Sequence, residues 1–463
     1  MNAPVDQSTR RAVLAVAVLA SFVTPFMGSA VNVALPTIGR DFALDAIFLS
    51  WISTSYLLSA VVCLLPFGRL ADIHGRRRIF LLGQTLFAVS SVMSALAVNG
   101  ALLIVARLVQ GVGGAMIFGT GVAVVTSVFP AGERGAALGF TVAAVYVGLS
   151  LGPVVGGVLT HNLGWRSIFW LNAVLGVALV ALTRWKLTQE FAGARGDRFD
   201  WIGSGIYASA MICLTYGMAS LPGVHGAALL AVAVVALIAF VLWEQRCAFP
   251  ILDVGLFRDN IVFAFSNLAA LLNYSATFAV GFFLSLYLQY VLGLNAQHAG
   301  AILLAQPILM AILSPFAGRR SDRIEPRVVA SLGMLFTVIG LVMLIFLGKG
   351  TSTAYVVIAL ALLGIGFGLF SSPNTNAIMG SVERRSYGVA AALVGTMRLI
   401  GQTLSMGVAT MIFSVFVGHA RITAENQEAF LTALRTAFTI FAVACLAGVF
   451  ISLARGRLHN STV

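Results

Sequence analysis

The chain has 463 residues, of which 59% are hydrophobic and only 10% charged, and its 28 Lys and Arg outnumber its 16 Asp and Glu to leave a net charge of +12. A soluble globular chain carries about 25% charged residues, so the composition excludes a soluble enzyme or nucleic-acid-binding domain and points to a protein that crosses a bilayer many times. The positive excess is spread over short loops, which reads as membrane topology and attraction to anionic lipid, and no nucleic-acid partner is expected.

A hydrocarbon core about 30 Å thick takes roughly 20 helical residues. Apolar runs of that length predict fourteen spans, at 12–36, 46–67, 79–98, 101–129, 135–159, 167–187, 201–220, 226–245, 260–290, 297–317, 327–347, 354–379, 388–418 and 431–454. The first run is too long for a signal peptide's apolar region of about 7–15 residues and closes on Asn32 and Pro36 without a small-residue cleavage site, so it reads as a true span. Basic residues crowd alternate loops, among them Arg10/Arg11, Arg76/Arg77/Arg78, Arg184/Lys186, Arg319/Arg320 and Arg455/Arg457, and are sparse in the others. The positive-inside rule makes the crowded side cytoplasmic, with both termini on it.

Within the first span, "MGSAVNVALP" (Met27 to Pro36) carries Ser29 and Asn32, polar groups that need partners where water is scarce. "GRLADIHGRRR" (Gly68 to Arg78) then links the second and third spans, with Gly68 and Gly75 expected to permit a tight turn, Asp72 to pair with an Arg or sit at a helix start, and Arg76 to hold the loop at the headgroups. "GRRSDRIEPR" repeats the pattern after the tenth span with Gly318, Asp322 and Arg323. Two copies at matching places in two six-span units imply a 6 + 2 + 6 layout: an N-terminal bundle over 1–187, two extra spans with linkers over 188–258, and a C-terminal bundle over 259–463.

Arg107 is the sharpest feature, because an Arg several residues into a span is costly unless it finds water or partners. It should face the bundle interior with Gln110 one turn along, and with Asn32 at similar depth as a partner. In the fifth span, Pro153 removes a helix hydrogen bond, while Gly148, Gly152, Gly156 and Gly157 allow close helix approach. Asn273 and Gln306, with Tyr274, are expected to line a central cavity or to bridge helices. Arg398 and Gln402 share a face of the thirteenth span and serve either helix packing or ligand contact. No Asp, Glu or His lies deep in a span, and Asp41 and Asp45, just outside the first, are the nearest acids to its polar segment.

The quoted segments, together with "RLVQGVGGA" (Arg107 to Ala115), "GLSLGPVVGG" (Gly148 to Gly157), "WRSIFWLN" (Trp165 to Asn172) and "SSPNTNAIMGSVERRSYGVA" (Ser371 to Ala390), resemble the fourteen-span drug:proton antiporter branch of the major facilitator superfamily over nearly the whole chain. The resemblance implies an all-α membrane fold in the cell membrane and alternating access between two six-span halves. It further implies export of small amphipathic compounds driven by a proton gradient, with no bound cofactor and no enzymatic activity. It assigns Arg107 to proton coupling or switching, and "GLSLGPVVGG" to exporters. Where the branch commonly has an Asp five residues before the Asn of its first-span motif, this chain has Met27. Transport of a neutral or anionic metabolite on the same fold therefore stands beside export as an alternative. The expected partners are a small-molecule substrate and the lipid bilayer; the sequence leaves the oligomeric state open, and a monomer is compatible with it.

Overall fold

The computed structural model describes residues 7–129, 134–187, 190, 196–321, 324–383, 387–418, 420–423 and 425–456. They form helices α1 (Gln7–Asp41), α2 (Ala46–His74), α3 (Arg76–Ala95), α4 (Gly100–Val128), α5 (Arg134–Leu163), α6 (Arg166–Lys186), α7 (Trp201–Ala219) and α8 (Val224–Glu244). A short α9 (Gly255–Asp259) leads into α10 (Ile261–Leu286), which runs on through a π-helical turn, Tyr287–Val291. There follow α11 (Ala296–Leu303), α12 (Ala305–Ser321), α13 (Pro326–Ile345), α14 (Thr353–Gly380), α15 (Tyr387–Phe416) and α16 (Gln427–Ala454). With α11 and α12 counted as one, fourteen helical stretches are long and apolar enough to cross a membrane. The protein is thus a multi-pass membrane protein, and no strand occurs among the described residues.

Polar caps start many of these helices. Asp45 accepts from the Phe48 amide at 2.7 Å, Asn99 from Leu102 at 2.8 Å, Asn260 from Phe263 at 2.9 Å and Asn295 from His298 at 2.8 Å. Each satisfies an amide that the helix itself leaves free. Helices α1 to α6 pack on one another, α10 to α16 do likewise, and the α7–α8 pair leans through α7 on both α2 and α15.

The loop motif folds differently from its reading in sequence. Gly68 is not a turn residue: α2 continues through it to His74, and the reversal is confined to Gly75, at φ +115°. Asp72 bridges that corner to Arg76 (2.7 Å), whose Nη1 also donates to the Ala123 carbonyl of α4 at 3.1 Å. Gly318 is likewise helical and close-packed, since a Cβ there would lie 2.5 Å from Ser372 Oγ on α14. Asp322 and Arg323 lie outside the described residues.

The Gly75 corner is latched from outside the bundle by Glu190, which accepts from the Arg77 amide at 2.8 Å. A Cβ on Gly75 would come within 2.5 Å of the Glu190 carboxyl carbon, in a backbone region that costs an L-residue about 1–3 kcal/mol. Gly75→Ala is therefore expected to lower the thermal unfolding midpoint of the detergent-solubilised protein, and adding Glu190→Ala should recover only the steric part of the loss. An unchanged midpoint in Gly75→Ala would contradict this account.

The two sets of six helices meet on the side of the membrane opposite the termini. Pro36 has no amide hydrogen, so the Asn32 carbonyl four residues earlier lacks its helical donor. Ser285 Oγ of α10 fills that place at 2.6 Å. From the adjoining π turn, Gln289 Nε2 donates to the Val33 carbonyl at 3.0 Å and Tyr290 OH to that of Pro36 at 3.1 Å. Ser50 of α2 and Thr410 of α15 share a hydrogen bond of 3.0 Å, and the Ala46 amide donates to the Ala420 carbonyl at 3.2 Å. These bonds seal the side opposite the termini.

Candidate transport cavity

A cavity of about 410 Å³ lies beneath that seal, between the two halves, within the range that encloses drug-sized ligands. Its walls extend toward the terminus-bearing side through Ala123, Thr141, Thr375 and Met379. It brings together Asn32, Arg107, Gln306, Arg398 and Gln402, five of the residues expected at the site. The wall is mostly apolar, with Phe118, Phe278, Phe367 and Met310 among the hydroxyls of Tyr56, Tyr146, Tyr274 and Ser371. Among the described lining residues there is no Asp, Glu or His.

Arg107 is 2% exposed and held by three groups. Its Nε donates to the Ile52 carbonyl of α2 at 3.1 Å, Nη1 donates to Gln110 Oε1, and the guanidinium lies 4.5 Å from the Tyr56 ring centroid. Gln110 passes the connection on through Ser91 Oγ of α3 (2.8 Å), which also accepts from Asn172 Nδ2 of α6 at 2.6 Å. The glycines that follow make this possible, because a Cβ on Gly111 would meet the Tyr56 carbonyl at 2.2 Å and one on Gly113 the Gly83 carbonyl at 2.8 Å.

Two expectations need correction. Asn32 is not the partner of Arg107; its Oδ1 accepts from Ser53 Oγ at 3.1 Å, because Gln110 and the Ile52 carbonyl are nearer the guanidinium in their own layer. Gln110 is buried behind Arg107 and does not line the cavity. Asn273 takes the second of its two expected roles: fully buried, it joins α10 to Cys445 Sγ of α16 at 3.9 Å, while its neighbour Tyr274 faces the cavity. Adjacent helical residues point about 100° apart, and here Tyr274 takes the wall side while Asn273 takes the side facing α16.

On α5, Gly148, Gly152 and Gly156 seat α1: Cβ atoms there would meet the Phe22 carbonyl, Ser29 Oγ and Ala30 Cα at 2.5, 1.9 and 2.8 Å. Ser29 thus serves close packing. Gly157 instead faces α11, where its Cβ would lie 2.5 Å from the Ala296 carbonyl, and Pro153 lines the cavity. Met27, where the resembling branch commonly has an acid, is 1% exposed in the apolar core and off the wall. Asp41 binds Trp165 Nε1 at 3.0 Å and Arg166 Nη1 at 2.9 Å, and Asp45 caps α2, so both are occupied outside the cavity.

Sequence reasoning missed Tyr146, whose hydroxyl donates across the halves to Ser371 Oγ at 2.6 Å, and Phe118, whose ring lies 4.8 Å from the Arg398 guanidinium. Tyr146, Leu149 and Pro153 repeat at helical spacing on the wall, a signal readable once Pro153 is placed. It also missed a buried carboxylate pair off the cavity: Asp200, 7% exposed, and Glu244, 4% exposed, converge on Gly203 between α7 and α8.

Two six-helix sets around a central cavity sealed at one end are the architecture of a membrane transporter. The family model described as Major Facilitator Superfamily matches residues 17–201 and 267–461, and the chain belongs to that family. It is 30% identical over 460 residues to the riboflavin transporter RibZ of Clostridioides difficile, covering 97% of this chain and 98% of that one. It is 33% identical over 394 residues to the multidrug resistance protein Stp of Mycobacterium tuberculosis, covering 84% and 73%. It is 32% identical over 480 residues to the cephamycin export protein CmcT of Amycolatopsis lactamdurans, covering 98% and 96%. The fold matches that of a bacterial homologue of the human lysosomal transporter Spinster, with a TM-score of 0.70, 16% identity and 97% of each chain covered.

Proposed function

We propose that this transporter exports small amphipathic compounds across the cell membrane by alternating access, drawing on the proton gradient. The observation that carries the reading is the mostly apolar cavity of about 410 Å³ between the halves, its walls reaching toward the terminus-bearing side and hydrogen bonds between the halves closing the other. The positive-inside rule makes the terminus-bearing side cytoplasmic. The cavity then receives substrate from the cytoplasm or the inner leaflet, and residues 1–187 and 259–463 rock about it as two bodies with 188–258 between them. The relatives named for multidrug resistance and cephamycin export support the outward direction. Proton coupling rests on the resemblance to the drug:proton branch. With no carboxylate or imidazole among the described lining residues, the exchanged proton is expected to titrate a group off the wall.

The test is purified protein in liposomes with an imposed pH gradient and a panel of amphipathic dyes. Dye movement that rises with the gradient and collapses when a protonophore is added is the expected result. Movement indifferent to the gradient would remove proton coupling from the proposal, and no movement of any compound would remove export itself.

A further inference from the structure

We propose that the cavity selects amphipathic organic anions, with Arg398 as the counter-ion; this deepens the transport reading above and rests on it. The wall carries two guanidinium groups and, among its described residues, no carboxylate. They are not equivalent. Arg107 is fully buried and spends its charge on a carbonyl, a glutamine and the Tyr56 ring. Arg398, half-buried on α15, has the Phe118 ring of α4 beside it at 4.8 Å and no hydrogen-bond acceptor among the described residues.

A cation held at membrane depth without an acceptor is costly, and a bound anion would relieve it through charge-assisted hydrogen bonds. The surroundings of Arg398 suit such a ligand. Tyr56, Tyr146 and Tyr274, which come from α2, α5 and α10, line the same cavity, so phenols of both halves face the space that Arg398 borders. Gln402 stands one turn along and also lines the cavity. Beyond this polar patch, Phe278, Met310 and the edge-to-face pair Tyr274–Phe367, with centroids 5.3 Å apart, offer surface for an apolar or aromatic body. An organic cation finds the same apolar surface but two like charges and, among the described lining residues, no carboxylate. Because Arg398 and Phe118 belong to different halves, an anion seated there would touch both.

The experiment compares three probes built on one naphthyl body: 2-naphthalenesulfonate, 2-naphthol and 2-naphthylmethylammonium. Binding to the purified wild-type protein is measured by calorimetry, and exchange by counterflow in liposomes. The sulfonate is expected to bind at least about tenfold more tightly than the ammonium probe, and Arg398→Gln to weaken it by about 10- to 100-fold, the range for one charge-assisted hydrogen bond. Arg398→Lys should keep the anion preference at reduced affinity. Should Arg398→Gln fail to fold by size exclusion and thermal unfolding, Gln402→Glu places a carboxylate one turn from Arg398 and should likewise abolish the preference. Sulfonate binding that is weaker than ammonium binding, or unmoved by these substitutions, overturns the anion inference. Counterflow of the neutral or ammonium probe in preference to the sulfonate overturns it while leaving the transport reading intact. Absence of any counterflow overturns both.

Discussion

Arg107→Met is expected to yield a folded protein whose transport rate is at least about tenfold lower, equivalent to about 1.4 kcal/mol at the barrier. The two halves of that expectation have different grounds. Among the described residues Arg107 has no carboxylate partner; it is held by the Ile52 carbonyl, Gln110 Oε1 and the Tyr56 ring. Replacing a buried ion by an apolar side chain of similar volume is often neutral or even stabilising, since the desolvation penalty disappears with the charge. Gln110 keeps its bond to Ser91 Oγ, so the α3–α4 connection survives. A purely architectural role therefore predicts little change in either unfolding temperature or transport.

A costly cation retained on the wall of the cavity is better explained by what it does during the cycle. Arg107 ties α4 to the backbone of α2 at Ile52, on the stretch that runs from the seal at Ser50 to the cavity residue Tyr56. Movement of that stretch must change the environment of the guanidinium. The expected signature is a fall in turnover with the unfolding midpoint close to wild type, and a smaller fall in Gln110→Leu, which removes an acceptor but keeps the charge. Wild-type transport in Arg107→Met at equal expression would confine this residue to packing.

Much of this fold is legible in the sequence because the bilayer imposes one length and one chemistry on every span. The run predicted at 201–220 is α7, Trp201–Ala219, and that at 354–379 is α14, Thr353–Gly380. Where prediction and structure part, the cause is local. Helix α2 passes the polar residues Arg69 and Asp72, which an apolar-run criterion ends on, because the Gly75 amide still reaches the Ala71 carbonyl at 2.9 Å. The wall is less legible than the helices. Depth identifies Arg107 and Arg398, but partner choice depends on which residues of other helices share their layer, so Ser53 rather than Arg107 meets the Asn32 side chain. Contacts between halves are the least legible of all. Ser285 to the Asn32 carbonyl spans 253 residues, and only the missing amide of Pro36 hints that this carbonyl needs a donor from elsewhere.

The sealed side supplies the second large effect. Gly300→Val is expected to prevent its closure and to reduce transport at least about tenfold. A Cβ on Gly300 would lie 2.1 Å from the Pro153 carbonyl oxygen, and one on the facing Gly157 would lie 2.5 Å from the Ala296 carbonyl. Both obstacles are backbone, so no side-chain rotation relieves them and α5 and α11 must separate; overpacking of this kind costs about 1–3 kcal/mol. Since α5 belongs to one half and α11 to the other, the separation acts on the same face as the Ser285 and Gln289 bonds to α1. The wedge should thus destabilise the sealed state relative to the state open on that side, without unfolding either half. Access is measurable with Asn32→Cys in a background lacking the four native cysteines, using a membrane-impermeant thiol reagent applied from the side opposite the termini. Labelling should be slow in that background and rise when Gly300→Val is added. Gly281→Val is the matched control, because its Cβ would project into open space on the cavity wall and touch nothing within 4 Å. Narrowing the cavity there should impair substrate binding while leaving labelling slow. Equal labelling of Asn32→Cys with and without Gly300→Val would mean that the Gly157–Gly300 contact does not hold the seal.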